Sequence, residues 1–204
     1  MRLGLTKKDK VSLAMRAGSR NAIGGFTMIE VLITLLVFSV GLLGFASLQS
    51  RAQKAELEVY QRVYALNLID YMADQIRSNP AAQGCYGLGN VEVGTGFYGT
   101  YSCSAYGTAQ TQAEVAAAVN TWSNLLKGSS EVAAGNNVGG LLNARGCIVF
   151  DAANQTYNLS VVWQGLVETI APTSTTCGNT SYGGSSSKLR RAVTYSLQMP
   201  SMGT

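Results

Sequence analysis

The segment from Gly25 to Glu30 holds the residues whose types and spacing could do chemistry. Gly25–Phe26 is a small-residue boundary that a peptidase could cut, and the cut would leave a new amino terminus on Phe26. Glu30 would then lie four residues further on, ahead of the uncharged residues 31–50. A carboxylate beside an apolar span costs about 2.5–3.5 kcal/mol at mid-membrane and less near the end. A chain that keeps one there is expected to use it.

A role for Glu30 follows from the cut. Cleavage after Gly25 creates a positive amine on Phe26, and in a bundle of such helices this amine meets the Glu30 carboxylate of another subunit. The pairing is stronger in a low-dielectric core than in water, so a wrong axial register leaves a charge unpaired at a cost. We therefore expect Glu30 to select the register of assembly. The alternative is a residue that only reaches to the membrane interface.

Positive charge is concentrated ahead of the cut. The chain has a net charge of +4, but residues 1–25 hold six basic residues and one acidic residue, and the rest holds nine basic and ten acidic. Because Lys and Arg mark the cytoplasmic side, the amino end is expected to stay in the cytoplasm. As a helix, residues 31–50 span roughly 30 Å, the thickness of a bilayer core. This apolar stretch follows the cut and would remain, unlike that of a secretory signal.

These residues resemble the amino terminus of type IV prepilins, which have a basic leader, Gly before the cut, Phe after it and Glu in an apolar helix. The matching run is GFTMIEVLITLLVFSVGLLG, with Met28 where many relatives have leucine. The stretches SVGLLGFASLQ and DYMADQIRSNP resemble minor pilins of the PilV type. The resemblance implies that Gly25–Phe26 is the prepilin peptidase site, that Phe26 becomes N-methylated and that Glu30 is the assembly glutamate.

Two helices are expected. The first is predicted over residues 26–78, because the sequence Ser-Asn-Pro at 78–80 is a stop signal and an apolar stripe recurs at three- and four-residue steps. The stripe consists of Leu57, Tyr60, Tyr64, Leu68, Met72 and Ile76. So long a helix must bury its first half in lipid or other subunits and its second half in its own head. The second helix is predicted over 108–127, with one apolar face of Val115, Val119, Trp122 and Leu126.

The last sixty or so residues are expected to form an antiparallel sheet. Alternation predicts strands at 146–151, 157–164 and 193–199, the second of them half-buried, with 166–170 as an extension or a further strand. Short edge strands are expected at 91–93 and 97–102, and loops at 129–143 and 171–187. A long membrane-spanning helix packed on an antiparallel sheet head is an α+β arrangement, and type IV pilins resemble this plan.

The chain is expected to divide into four segments. These are a cleaved basic leader (1–25), a transmembrane and assembly half of the long helix (26–50), its amphipathic half (51–80) and a periplasmic α+β head (81–204). The periplasm is oxidising, so the four cysteines are expected to form two disulfides. Three pairings are open and the sequence does not choose between them. We expect Cys85–Cys103 to close a Gly-rich loop and Cys147–Cys177 to tie a strand to a later loop.

The sequence gives little support for an enzyme. The chain has no His and no Cys-x-x-Cys, and its acidic residues are scattered, so we expect no catalytic residue, cofactor or metal site. The basic group at Lys188, Arg190 and Arg191 is expected to be a solvated strand start. With a net charge near −1 after the cut, strong binding of nucleic acid is not expected. Loop tyrosines offer a contact surface or, more simply, pack the loops: Tyr86, Tyr98, Tyr101, Tyr106 and Tyr182.

Three functions fit these features. The first is a minor pilin that primes or modifies a type IV pilus, with effects on motility, adhesion and DNA uptake. The second is a type II secretion pseudopilin, which shares GFxxxE but typically has a shorter chain for this type of head. The third is a membrane-tethered adhesin or DNA-uptake module. For the first, the expected partners are the major pilin, other minor pilins and the prepilin peptidase/methyltransferase. The expected location is the inner membrane, with the head in the periplasm, and then the pilus, near its tip.

Overall fold

The computed structural model describes residues 24–182 and 187–199, so most of the expected leader lies outside the described residues. The chain forms two units, residues 1–47 and residues 48–204. The described helices and strands follow one another in this order: α1 (Met28–Ser78), a 3-10 helix (Pro80–Tyr86), β1 (Val93–Gly94), α2 (Ala109–Leu126), β2 (Val132–Ala133), β3 (Asn136–Asn137), β4 (Arg145–Asp151), β5 (Thr156–Gln164) and β6 (Arg190–Gln198).

The first unit is formed by the start of α1. Every residue from 24 to 50 is exposed, and α1 is the one helix of the described residues that is long and apolar enough to cross a membrane. The Thr34 and Ser39 hydroxyls each donate to a carbonyl one turn back, to Val31 O and Leu36 O at 2.8 Å. Their polar groups are therefore satisfied within the helix, as a lipid environment requires.

The head covers α1 from residue 61 onward. The buried residues of α1 are Gln61, Ala65, Leu68, Ile69, Met72, Ala73 and Ile76. The predicted stripe is confirmed at Leu68, Met72 and Ile76 but is wrong at its start, since Leu57 is 48% exposed and Tyr60 64% exposed. At this turn the sheet contacts α1 through Arg191 of β6, which pairs with Glu58 at 3.1 Å, and it leaves Leu57 and Tyr60 exposed. Helical periodicity gives the angle of a buried face and does not give the point along the axis where its cover begins.

Helix α2 packs on α1 through its predicted face. Val115, Val119, Trp122 and Leu126 are all fully buried, which confirms the expectation. Trp122 Nε1 donates to the α1 carbonyl of Leu68 at 2.9 Å. The helix begins one residue later than predicted because Thr108 is its N-cap, and the cap accepts a hydrogen bond from Thr111 N.

The main sheet is antiparallel in the order β1-β4-β5-β6. This confirms the α+β fold class, a long amino-terminal helix on an antiparallel sheet. The predicted strands at 97–102 and 166–170 are wrong. Gly94 and Gly96 both have positive φ and turn the chain away from β4, and Phe97 N donates back to Gly94 O at 3.0 Å. Within the predicted loop 129–143 the short strands β2 and β3 form a hairpin.

Strand β5 is buried on both faces over part of its length. Tyr157, Leu159, Val161 and Trp163 face the helices, as alternation predicts. The expectation of a half-buried strand is wrong at Ser160 and Val162, which lie on the other face and are also buried. A second small cluster of Cys147, Val162, Cys177 and Tyr182 covers this face, because the loop after β5 folds back over it. Alternation within one strand carries no information about such a loop.

Candidate processing and assembly site

The bond between Gly25 and Phe26 lies in an exposed segment outside the helix. Residues 24–27 have no regular secondary structure, and Phe26 is 85% exposed. A side chain added at Gly25 would meet no atom within 4 Å. Exposed, irregular backbone is where peptidases act most readily. The fold of this chain therefore leaves the predicted cleavage site open.

Thr27 determines where α1 begins. Its Oγ1 accepts a hydrogen bond from Glu30 N at 3.3 Å, and its carbonyl accepts from Glu30 N at 3.1 Å and from Val31 N at 3.3 Å. A threonine at this position satisfies amides that the first turn would otherwise leave unpaired. Phe26 precedes this cap, so an amine produced by the cut would lie just outside the helix.

Glu30 lies in the first turn of α1 and is exposed. A carboxylate there is favoured by the positive end of the helix dipole. Among residues 24–182 and 187–199, no Lys or Arg forms an ion pair with it. The carboxylate is therefore available to a cation of another molecule. Glu30 lies four residues after the exposed Phe26 in the sequence.

Two glycines, Gly41 and Gly44, lie three residues apart within the span and so share a helix face. A Cβ added at either position would meet nothing within 4 Å. The α1 backbone is thus open to close approach by another helix at this point, which small residues permit in membranes.

The family model for the prokaryotic N-terminal methylation motif matches residues 20–46. This match supports a type IV pilin-like protein. It implies processing by a prepilin peptidase and assembly with other pilins, and it fits a membrane-anchored, pilus-associated structural protein. The match contains Gly25, Phe26 and Glu30 and ends before residues 70–80, so it does not separate PilV-type proteins from other pilins. No curated protein and no solved structure matches the chain.

In the head, the predicted basic group is used in the fold. Arg190 is only 3% exposed, so the expectation of a solvated strand start is wrong there. Its Nη1 donates to Thr175 O at 3.0 Å and to Cys177 O at 2.6 Å, and its Nη2 donates to Pro172 O at 2.6 Å. Arg190 thus holds the loop that follows β5. The periodic pattern of β6 gave no signal for this, because the carbonyls it binds belong to an irregular segment.

The other two members of the group are paired. Arg191 Nη2 lies 3.1 Å from Glu58 Oε1, and Lys188 Nζ lies 3.6 Å from Glu168 Oε2. Both cations have an anionic neighbour, so they offer little free charge to a phosphate backbone. This arrangement favours the structural interpretation of the basic group over a nucleic-acid interface.

Two disulfides are present among the described residues, Cys85–Cys103 and Cys147–Cys177. The second ties β4 to the loop that Arg190 holds. Glu92 lies beside it, with its ligand oxygen and the two sulfurs within 4.8 Å of one another. The sulfurs are bonded to each other and offer no thiolate, and metal binding by Cys needs the thiolate.

Glu92 has a structural role that sequence reasoning missed. Its Oε1 accepts from Gly178 N at 2.7 Å, and its Oε2 pairs with Arg145 Nη1 at 3.3 Å. The carboxylate therefore anchors the same loop from the side of β1. A single glutamate in a Gly-rich stretch carries no sequence pattern that would have indicated this contact.

The loop tyrosines differ in burial. Tyr86 and Tyr182 are buried, and their hydroxyls donate to backbone carbonyls, Tyr86 to Gln75 O at 2.9 Å and Tyr182 to Asn143 O at 2.7 Å. Burial raises the pKa of Tyr86 to about 12 and also raises the pKa of Tyr182. Tyr98, by contrast, is 97% exposed. Packing of the loops is therefore the role of the buried pair.

Proposed function

We propose that this chain is a minor pilin of the type IV pilus system that primes or modifies pilus assembly. One observation carries the proposal: an exposed Gly25–Phe26 bond lies directly before a helix whose residues 31–50 are uncharged and exposed and whose first-turn Glu30 has no cation beside it among the described residues. Lipid covers such a helix before assembly. Helices of neighbouring subunits cover it afterwards, when the Phe26 amine of one chain meets the Glu30 carboxylate of another.

The minor role is supported by the head and by resemblance. The segment from Pro172 to Gly178, between β5 and β6, is held on the outer face of the sheet by Arg190, Glu92 and a disulfide. A head that carries such a loop on its sheet fits one particular position in a filament, such as its tip, better than it fits every position of the repeating lattice. The stretches at 39–49 and 70–80 resemble PilV-type minor pilins.

The proposed partners and locations follow. The prepilin peptidase/methyltransferase cuts at Gly25 and methylates Phe26, and the head, residues 81–204, folds in the periplasm. Residues 26–50 then pass from the inner membrane into the filament core among other minor pilins and the major pilin. Filaments grow by adding subunits at the membrane, so a subunit that starts one ends at its tip.

A type II secretion pseudopilin is the second candidate, because residues 20–46 carry a motif that both systems share. Quantitative proteomics of sheared pili separates the two. We expect the chain at a small fraction of the main pilin, and deletion should lower pilus number while the remaining filaments keep their diameter and symmetry. Near-stoichiometric abundance would contradict the minor role. Absence from pili, with a secretion defect on deletion, would favour the pseudopilin.

A further inference from the structure

Strand β6 forms a long open edge of the sheet. All of Arg190–Gln198 pairs with β5 in one continuous register, without a bulge. Among residues 24–182 and 187–199, no other strand lies on its far side. The opposite edge is β1, which has only two residues. The sheet therefore has one short edge and one edge with room for a further strand.

The register shows which β6 backbone groups point away from β5. Met199 N donates to Gln155 O at 3.1 Å, and Gly165 N donates to Leu189 O at 2.7 Å. In an antiparallel ladder, hydrogen-bonded and non-hydrogen-bonded pairs alternate. The odd-numbered residues of β6 therefore bond to β5, and the amides and carbonyls of Ala192, Thr194, Ser196 and Gln198 point outward. None of these outward groups has a partner in the part of the chain that the structure describes.

This edge lacks the features with which proteins usually protect one. Natural edge strands are short, bulged, or carry Pro or Lys. Residues 192–199 contain no proline and no charged residue, and Thr194, Ser196 and Gln198 are exposed. The nearest cations, Arg190 and Arg191, lie at one end and are engaged within the chain. The row of unpaired amides and carbonyls along this edge is chemically complementary to another extended strand.

A groove of about 340 Å³ opens at the Arg191 end of this edge. Its lining residues are Ala55, Glu58, Val59, Arg62, Trp163, Arg191 and Ala192. Trp163 Nε1 donates to Gln61 Oε1 at 3.2 Å, so its N–H is already engaged within the chain. When a peptide adds to a sheet edge, backbone bonds supply affinity and side-chain pockets supply specificity. The apolar part of this groove, formed by Ala55, Val59, Trp163 and Ala192, is such a pocket for one apolar side chain; Glu58, Arg62 and Arg191 also line the groove.

We propose that β6 accepts an extended, uncharged strand from a different subunit of the assembly, with one apolar side chain of that strand in the groove. The inference rests on the proposed function. An antiparallel β6–β6 pair of two copies has its twofold axis perpendicular to the sheet, so the sheet-packed part of α1, residues 61–76, would run in opposite directions in the two copies. Neighbouring subunits of the proposed assembly are anchored in one membrane and are expected to run the same way. A parallel pair would place the two α1 helices on opposite faces of the joined sheet, where they cannot pack together. Both arguments favour a different subunit.

The test uses three variants at one exposed position of the full chain. Thr194→Pro removes an outward donor and leaves the ladder to β5 intact, since proline is accepted where a strand's N–H faces solvent. Thr194→Lys keeps the N–H and places a charge on the edge. Thr194→Val keeps both the N–H and the β-branched shape, so it is the matched control. Thermal unfolding and thiol titration of each purified variant check the fold, and Thr194→Lys decides the matter if Thr194→Pro unfolds.

Two quantities are measured: the chain's abundance in sheared pili, and amide exchange at Thr194 and Ser196 in pili and in the detergent-purified chain. We expect Thr194→Pro and Thr194→Lys to lose about tenfold or more of their incorporation, and Thr194→Val to stay within about twofold. We also expect the outward amides to exchange more slowly in pili than in detergent. Normal incorporation of folded Thr194→Lys, or fast exchange in pili, would overturn the proposal.

The remaining outcomes separate this inference from the proposed function. If the wild-type chain is absent from pili, the proposed pilus function is wrong. Amide exchange in native membranes then tests whether a strand is bound at β6: slow exchange of the outward amides supports a bound strand, and fast exchange excludes it. A cross-linked species of two copies joined through β6 would replace the different subunit with a second copy and overturn the proposed occupant.

Discussion

Arg191 of β6 and Glu58 of α1 form an ion pair at 3.1 Å, although 133 residues separate them in the sequence. The same guanidinium donates to Thr169 Oγ1 at 2.7 Å and to Val167 O at 2.8 Å. One side chain thus joins the helix, the strand and the loop after β5. It does so where the buried face of α1 begins, beside the groove at the end of the open sheet edge.

Removing Arg191 should destabilise the head. Arg191→Ala breaks the ion pair and three further hydrogen bonds, and we expect a loss of about 1–3 kcal/mol in the free energy of unfolding because the pair is only partly exposed. Glu58→Gln keeps an acceptor for the guanidinium and should cost less than about 1 kcal/mol. Urea unfolding of the detergent-solubilised chain measures both. Equal effects of the two variants would mean that the charge, and not the hydrogen-bonded geometry, carries the interaction.

The disulfides should stabilise the head by constraining its unfolded state. Their sequence separations are 18 and 30 residues. The chain-entropy estimate for loops of this size is about 3–4 kcal/mol each, so we expect each Cys-to-Ser pair to lower the free energy of unfolding by about that amount. Alkylation under denaturing, non-reducing conditions checks the bonds, and peptide mapping checks the pairing. Two or more free thiols per chain from the periplasm would contradict this account.

Alkaline pH should destabilise the head in a defined window. Burial raises the pKa of Tyr86 from its ordinary value of 10.0 to about 12, so the folded state holds this proton more tightly than the unfolded state. The contribution is complete below pH 10 and is lost as the pH rises through about 12. Tyr86→Phe should therefore make the free energy of unfolding less dependent on pH in this window. An unchanged dependence would show that Tyr86 is not responsible.

Glu30→Ala should separate membrane insertion from assembly. The variant removes a costly charge, so insertion should be intact or improved, while docking beside other pilin helices should fail. Glu56→Ala is a suitable control, because Glu56 is also an exposed acid of α1 but lies beyond the uncharged run. Co-purification with pilus subunits and surface pilus yield are the readouts. Normal incorporation of Glu30→Ala would show that the carboxylate is merely tolerated.

The sequence predicted those parts of the fold that depend on local periodicity. The end of α1 at Ser78, the buried face of α2 and the three long strands all follow from apolar spacing and stop signals. The errors occur where a distant segment decides burial. Tyr60 was expected to be buried, but it is exposed because the sheet does not extend over it along α1. Val162 lies on the face of β5 that was expected to be exposed to solvent, but it is buried because the loop after β5 covers that face.

The candidate site divides in the same way. Gly25, Phe26 and Glu30 are adjacent in sequence, so a linear motif is enough to find them. Arg190 and Glu92 act on carbonyl and amide groups of an irregular loop, to which no residue spacing points. The open edge of β6 depends on the order of strands in the sheet, and alternation within β6 does not give that order.

The cut itself is tested by the intact mass of the mature chain, with fragmentation of its amino terminus. In cells with an active prepilin peptidase, we expect a chain that begins at Phe26 and carries one methyl group on its amine. Gly25→Val should remain uncut, whereas Gly24→Val should still be processed, because both positions are equally open in this fold and only the first forms the cut bond. A mature chain that still begins at Met1 in such cells would contradict the account.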